Sequence, residues 1–238
     1  MAAWLEKNSM KNKKILYTDN SDYFKYNRFK VFTYITKANS LFDSNDTLTE
    51  LLSEKNYSIN NIAYCEQVHS DRVLYISKPG LYSSSDGLVT KCSNGIILKI
   101  QTADCVPVSI YDQKQGLIGL IHSGWKGTKM SICNNAVEIF LKKGSKPENI
   151  QVFLGPAIGK CCYEIKNDVS KQFNQKYIFN NHDKIFLDIK LKIKEDLLLA
   201  GIKKNNIANS NICTYENNEY YSYRKNKNNE RMYSLIGN

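Results

Sequence analysis

The chain has 238 residues of which 42% are hydrophobic, enough for one sizeable core, and 33 basic against 23 acidic side chains give it a formal charge of +10. That balance favours phosphorylated or otherwise anionic partners. The lysines are scattered, however, and no zinc-finger, RNP or other nucleic-acid signature accompanies them, so no specific nucleic acid is expected as a partner.

Residues Met1 to Lys14 read as a polar tail, and 15–238 as one domain, because there are only 4 prolines, no Gly/Ser linker and no internal repeat. The tail lacks the apolar stretch of a signal peptide, and no run of about 18 apolar residues occurs, so a cytoplasmic protein without a membrane span is expected. Short strand-like segments follow in chain order: Val31–Thr36, Val73–Ile76, Gly87–Thr90, Ile96–Ile100, Val106–Tyr111, Leu117–His122, Ile150–Leu154, Ile207–Thr214, Tyr220–Arg224 and Met232–Ile236. Helices are fewer. Asp46 or Thr47 can cap one running to about Asn56, with Thr47-x-x-Glu50 as a capping box. From Thr128 to Lys143, Met130, Cys133, Val137, Phe140 and Leu141 recur at helical steps, and Gly144 supplies a stop. Phe186 to Gly201 alternates like a strand at first and ends like a helix; we read it as helix. The whole is an α/β (α+β) pattern.

Seven cysteines, with no CxxC pairing or regular spacing, imply neither a disulfide framework nor a structural zinc, and suit a reducing compartment. One of them belongs to a more pointed group. His122 ends an apolar segment and is followed by Ser123-Gly124-Trp125-Lys126-Gly127, Cys105 directly precedes another apolar segment, and His69 follows Ile62–Val68. Imidazole and thiolate are the usual zinc ligands, and three protein ligands leave a fourth position open for chemistry. The spacing is too long for a local metal hairpin and suits ligands delivered by different strands. Cys105 with His122 or His69 as base would equally serve a cysteine hydrolase. Backbone N–H groups after Gly124, with Lys126 beside them, offer a site for an anion.

Five motifs extend this reading: Gln67-Val68-His69, Asp86-Gly87-Leu88-Val89-Thr90, Thr102-Ala103-Asp104-Cys105-Val106-Pro107-Val108, His122-Ser123-Gly124-Trp125-Lys126-Gly127, and Gly155-Pro156-Ala157-Ile158-Gly159 leading to Cys162-Tyr163-Glu164-Ile165. Cys213-Thr214-Tyr215, Ser222-Tyr223-Arg224 and Arg231 continue the series. In this order they resemble the bacterial YfiH-type family, long labelled laccase-domain or polyphenol oxidase proteins, over about residues 60–236. The resemblance implies a single domain of mixed β-sheets flanked by helices. It implies zinc on His69, Cys105 and His122, which would be both metal ligands and catalytic residues, and purine nucleoside phosphorylase activity with adenosine deaminase activity beside it. Purine nucleoside and phosphate would be the substrates, with Lys37, Lys126 and Arg231 as candidate substrate-binding residues, and a monomer is expected. Editing of peptidoglycan precursors is a further role the family suggests.

Two departures from the family pattern are visible. Where members carry Thr-Arg and then a Gly-Gly loop, this chain has Thr36-Lys37-Ala38-Asn39-Ser40-Leu41-Phe42, which offers a point charge in place of a bidentate fork. Before the last arginine, Thr-Gly is replaced by Asn229-Glu230. The ordinary zinc-deaminase signature, His-x-Glu with Pro-Cys-x-x-Cys, is absent. Three histidines are too few for a multicopper cluster, although a single copper is the alternative ion at a nitrogen and sulfur site.

Overall fold

A computed structural model describes residues 17–24, 32–37, 48–49, 52–53 and 56–238. Its strands are β1 (Tyr17–Asp19), β2 (Phe32–Thr36), β3 (Ile62–Cys65), β4 (Val73–Tyr75), β5 (Gly80–Tyr82), β6 (Gly87–Lys91), β7 (Ile97–Thr102) and β8 (Val106–Asp112). The series continues with β9 (Leu117–Ser123), β10 (Ile150–Leu154), β11 (Glu164–Ile165), β12 (Ile178–Asn181), β13 (Lys184–Leu187), β14 (Ile207–Asn209) and β15 (Met232–Gly237). Two six-stranded sheets, ordered β1-β2-β15-β7-β3-β5 and β14-β10-β8-β9-β6-β4, carry the fold, and β11-β13-β12 form a small third sheet.

Side-chain alternation builds the layers. In β9, Ile118 and Leu120 join Leu98, Ile100 and Ile236 in a core between the two large sheets, while Leu117 and Ile121 turn to the helices. There they meet Ile132, Cys133, Ala136, Val137 and Phe140 of the helix Ile132–Lys142, together with Ile193 and Leu197 of the helix Ile189–Leu199. The outer face of the first sheet is covered at Phe32, Tyr34, Ile97 and Leu235 by Leu48 and Leu52. Phe140 is fully buried, and a Cβ on Gly119 would lie 3.1 Å from its ring. Phe140→Ala is therefore expected to cost about 3–5 kcal/mol, read from urea unfolding.

Several sequence expectations are corrected. Thr128–Lys143 is two helices, Trp125–Lys129 and Ile132–Lys142, because Ser131 adopts a left-handed φ of 57° between them; Met130, counted in the apolar stripe, is exposed. Tyr220–Arg224 is not a strand. Ser222 caps a turn of helix over Tyr223–Asn226, its Oγ accepting from the Lys225 N–H at 3.2 Å. Ile207–Thr214 stays in the sheet only as β14, after which the Ser210 N–H turns to the Leu154 carbonyl and the Thr214 N–H to that of Ala157. Phe186–Gly201 divides at Asp188, whose carboxylate accepts from the Leu191 N–H at 2.9 Å and so starts a helix directly after β13. Leu48, Thr49, Leu52 and Ser53 are helical, whereas Thr47, Glu50 and the tail over 1–14 lie outside the described residues.

Registers bring the motifs to one place. Pro107 pairs with His122 and Val106 with Ser123 across β8 and β9, and Gly87 pairs with Ile121 across β6 and β9. Cys105, His122 and Asp86 therefore meet at one end of the second sheet. The loop after β3 carries His69 to the same end.

Candidate metal centre

His122 Nε2, His69 Nε2 and Cys105 Sγ are the donors on offer. One ligand atom from each residue falls within 4.8 Å of the others, and Cys105 Sγ lies 4.0 Å from His69 Nε2. The two imidazoles stand edge to face at 4.7 Å. His122 is buried, whereas His69 and Cys105 reach solvent, so the group is supported from below and open above. Two nitrogens and a thiolate suit zinc, and the same trio suits a single copper.

The residue that organises the centre is Asp86, which is fully buried. Its Oδ1 takes the His122 Nδ1 hydrogen bond at 2.8 Å and the His69 backbone N–H at 3.0 Å. Its Oδ2 accepts from the Ser70 N–H and hydroxyl, both at 2.7 Å. One carboxylate thus fixes the His122 tautomer with Nε2 facing the other ligands, and holds the His69 loop against it. It also secures His69 in the left-handed region, at φ 60°. In the sequence Asp86 appears only within the motif Asp86-Gly87-Leu88-Val89-Thr90, 17 residues from His69 and 36 from His122, with no local sign of its task.

The charges respond to one another. Burial pushes the Asp86 carboxyl up, but hydrogen bonds from His122 and Ser70 outweigh it and hold it at about 2. Burial likewise raises the Cys105 thiol, yet the His122 charge and the hydrogen bonds of both histidines bring it down to about 6. Burial lowers His122, while Cys105 and Asp86 lift it to about 9. Sulfur and ring are thus disposed as a thiolate–imidazolium pair, and a divalent cation held by them would displace the Nε2 proton to solvent and serve as the thiolate's counter-charge.

Neighbouring positions are shaped to this centre. Gln67 bridges to Gln101 through its side chain, Nε2 donating to the carbonyl and Oε1 accepting the N–H, both at 2.8 Å, which carries the β3–β7 pairing on towards His69. Asp104, at φ 83°, accepts from Thr214 Oγ1 and the Arg224 N–H at 2.7 Å each, and so anchors the residue before Cys105 to the C-terminal segment. A Cβ on Gly124 would lie 3.0 Å from both Cys105 Sγ and His69 Cδ2. Gly124→Ala is expected to lower metal affinity about tenfold or more while leaving the urea midpoint nearly unchanged, as measured by chelator competition and unfolding.

The basic residues are more dispersed in their commitments. Lys37 pairs with Glu219 at 3.0 Å. Arg231 donates to the Asn228 and Glu230 carbonyls and stacks over Tyr223. Lys126 lies over the Trp125 ring in a helix only five residues long. Continued by two residues, the β2–β15 register sets Lys37 opposite Met232, whose other neighbour is Thr102, so Lys37 and Arg231 lie at the end of the first sheet from which the chain leaves β7 towards Cys105.

The chain was compared with known proteins. Residues 43–238 match the family described as multi-copper polyphenol oxidoreductase laccase. A purine nucleoside phosphorylase of Clostridium acetobutylicum is 31% identical over 227 residues, covering 90% of this chain and 93% of that protein. Adenosine deaminase RL5, from an unknown prokaryotic organism, is 28% identical over 76% of each chain. The crystal structure of Bacillus licheniformis YfiH superposes with a TM-score of 0.81 at 26% identity, over 87% of this chain and 92% of that one. The multicopper part of the family description does not fit these residues, since His182 is exposed in the β12–β13 turn beside Asn181 and only two imidazoles reach the centre. By sequence match and by fold, the chain is a member of this laccase-like family of YfiH type.

Proposed function

We propose that the protein is a zinc-dependent purine nucleoside phosphorylase working at His69, Cys105 and His122. The observation that carries this reading is the convergence of two imidazole nitrogens and one thiolate, with Asp86 locking His122 so that Nε2 faces the other two donors. Relatives named purine nucleoside phosphorylase support the substrate class. When bound there, zinc supplies Lewis-acid charge to an oxygen of the reactants.

The chain's own residues would do the rest. Asp86 keeps the His122 Nδ1–H engaged and so preserves the tautomer that presents Nε2. Asp104, tied to Thr214 and Arg224, fixes the direction in which Cys105 leaves β7. Phosphate is drawn to a chain of net charge +10 and met by Lys126 and Arg231; Lys37 is the weaker candidate because Glu219 already takes up part of its charge. Seven free thiols suit a reducing cytoplasm. Among the described residues, no helix is long and apolar enough to cross a membrane.

A cysteine hydrolase is the second reading. It is favoured by the Cys105 thiol at about 6 and by the Asp86–His122 pair, which orders nucleophile, base and orienting carboxylate. It leaves the convergence of His69 on the sulfur without a purpose. Product analysis with adenosine or inosine and inorganic phosphate tests the proposal. Free base with ribose 1-phosphate, lost on chelation and restored by zinc, is expected. Adenosine converted to inosine without phosphate would assign deamination instead, and neither product from zinc-loaded protein would overturn both nucleoside activities.

A further inference from the structure

A second sulfur cluster lies one hydrogen bond away from the centre, since Thr214, next to Cys213, donates to Asp104, next to Cys105. Pairing of Ala157 with Cys213, together with the Thr214 N–H to Ala157 carbonyl bond at 3.1 Å, brings the Gly159–Cys162 turn alongside residues 213–216. Cys161 Sγ then lies 3.6 Å from Cys213 Sγ and 3.1 Å from Cys162 Sγ. With a carboxylate oxygen of Glu216, all four ligand atoms fall within 4.8 Å of one another. The spacing of these cysteines along the chain gave no hint of this.

We propose that Cys161, Cys162, Cys213 and Glu216 form a second metal site, closed and structural, for a thiophilic divalent ion of the zinc class. Three thiolates and one carboxylate fill the four tetrahedral positions, which is the pattern of a structural rather than a catalytic site. Zinc–sulfur bonds of about 2.3 Å set the sulfurs roughly 3.8 Å apart, within about 1 Å of the Cys161–Cys213 and Cys161–Cys162 separations found here. The site is also built around the sulfurs. The Gly159 N–H donates to Cys213 Sγ at 3.2 Å, and a Cβ on Gly159 would lie 3.1 Å from Cys161 Sγ and 3.4 Å from Cys213 Sγ. Four anionic ligands and one dication leave a charge that the neighbouring Lys190 partly offsets. On binding, three S–H bonds break, three metal–sulfur bonds form, and three protons pass to solvent. The ion would staple the Gly159–Cys162 turn to the segment whose Thr214 holds Asp104.

The full-length Cys105→Ala protein, purified anaerobically and stripped of metal, isolates this cluster from the main centre. Titrated with cobalt(II), it is expected to take up one equivalent with thiolate-to-cobalt charge-transfer absorption and release of about three protons; zinc then bleaches the band. Adding Cys161→Ser and Cys213→Ser should abolish the band. Glu216→Gln, an exposed change that keeps every thiol, should weaken cobalt binding about tenfold or more with the circular dichroism unchanged. A Cys105→Ala protein without the band, a band that survives the two serines, or unaltered affinity in Glu216→Gln would each overturn the assignment.

Discussion

Replacing Asp86 by alanine is expected to lower affinity for the metal by about 10–100-fold and to remove about 3–5 kcal/mol of folding stability. Both effects follow from one carboxylate with many dependants. It receives the Val68, His69 and Ser70 backbone N–H groups, the Ser70 hydroxyl and His122 Nδ1, all from within the fold. Removing it strands these donors, and each one that stays buried costs about 1–3 kcal/mol before the surroundings relax. His122 would also lose its fixed tautomer, and the His69 loop its tether in the left-handed region. Asp86→Asn is expected to recover little, because its amide would direct two donors at groups that are themselves donors. Chelator competition reads the affinity, and urea unfolding of metal-free protein reads the stability. An alanine variant with wild-type affinity would show that Asp86 does not position the ligands.

His69→Asn is expected to reduce phosphorolysis on the order of 10³-fold with loss of the bound ion, and Cys105→Ala to do the same. Asparagine is the informative replacement at His69, since it tolerates the φ of 60° that the loop requires. Stability should therefore change by less than about 1 kcal/mol. The pair of variants separates the two functional readings. A cysteine nucleophile served by His122 needs Cys105 but not His69, so substantial activity in His69→Asn together with a dead Cys105→Ala would favour the hydrolase. Steady-state kinetics with inosine in the presence and absence of phosphate, alongside metal analysis of each protein, decides between them.

Much of the candidate centre was legible in the sequence because its three residues sit where secondary structure changes. Cys105 and His122 stand beside strongly apolar segments, and β8 and β9 turned out to be adjacent antiparallel partners. What pairs with what was not legible. No local signal reveals that β3 runs parallel to β7 or that β4 runs parallel to β6, yet those pairings deliver His69 and Asp86 to the same sheet end. Asp86 illustrates the loss, for its importance lies entirely in groups brought to it by tertiary structure. The Cys161, Cys162 and Cys213 cluster was missed for the same reason, its members meeting through a single bridge between Ala157 and Cys213. Local competition explains one error in elements, since Ser222 caps a helical turn where alternation suggested a strand. By adopting the left-handed region, Ser131 interrupts a helix whose apolar periodicity runs through it unbroken. Lys37 and Arg231 stand out in the sequence only as candidate substrate-binding residues, and no motif reveals that Glu219 pairs with the first and two carbonyls hold the second.

Anomalous diffraction at the zinc edge, from crystals of the zinc-loaded protein, locates the ion itself. A peak is expected about 2.0–2.1 Å from His69 Nε2 and His122 Nε2 and about 2.3 Å from Cys105 Sγ. A protein that phosphorolyses nucleosides yet shows no peak among these three atoms would contradict this placement.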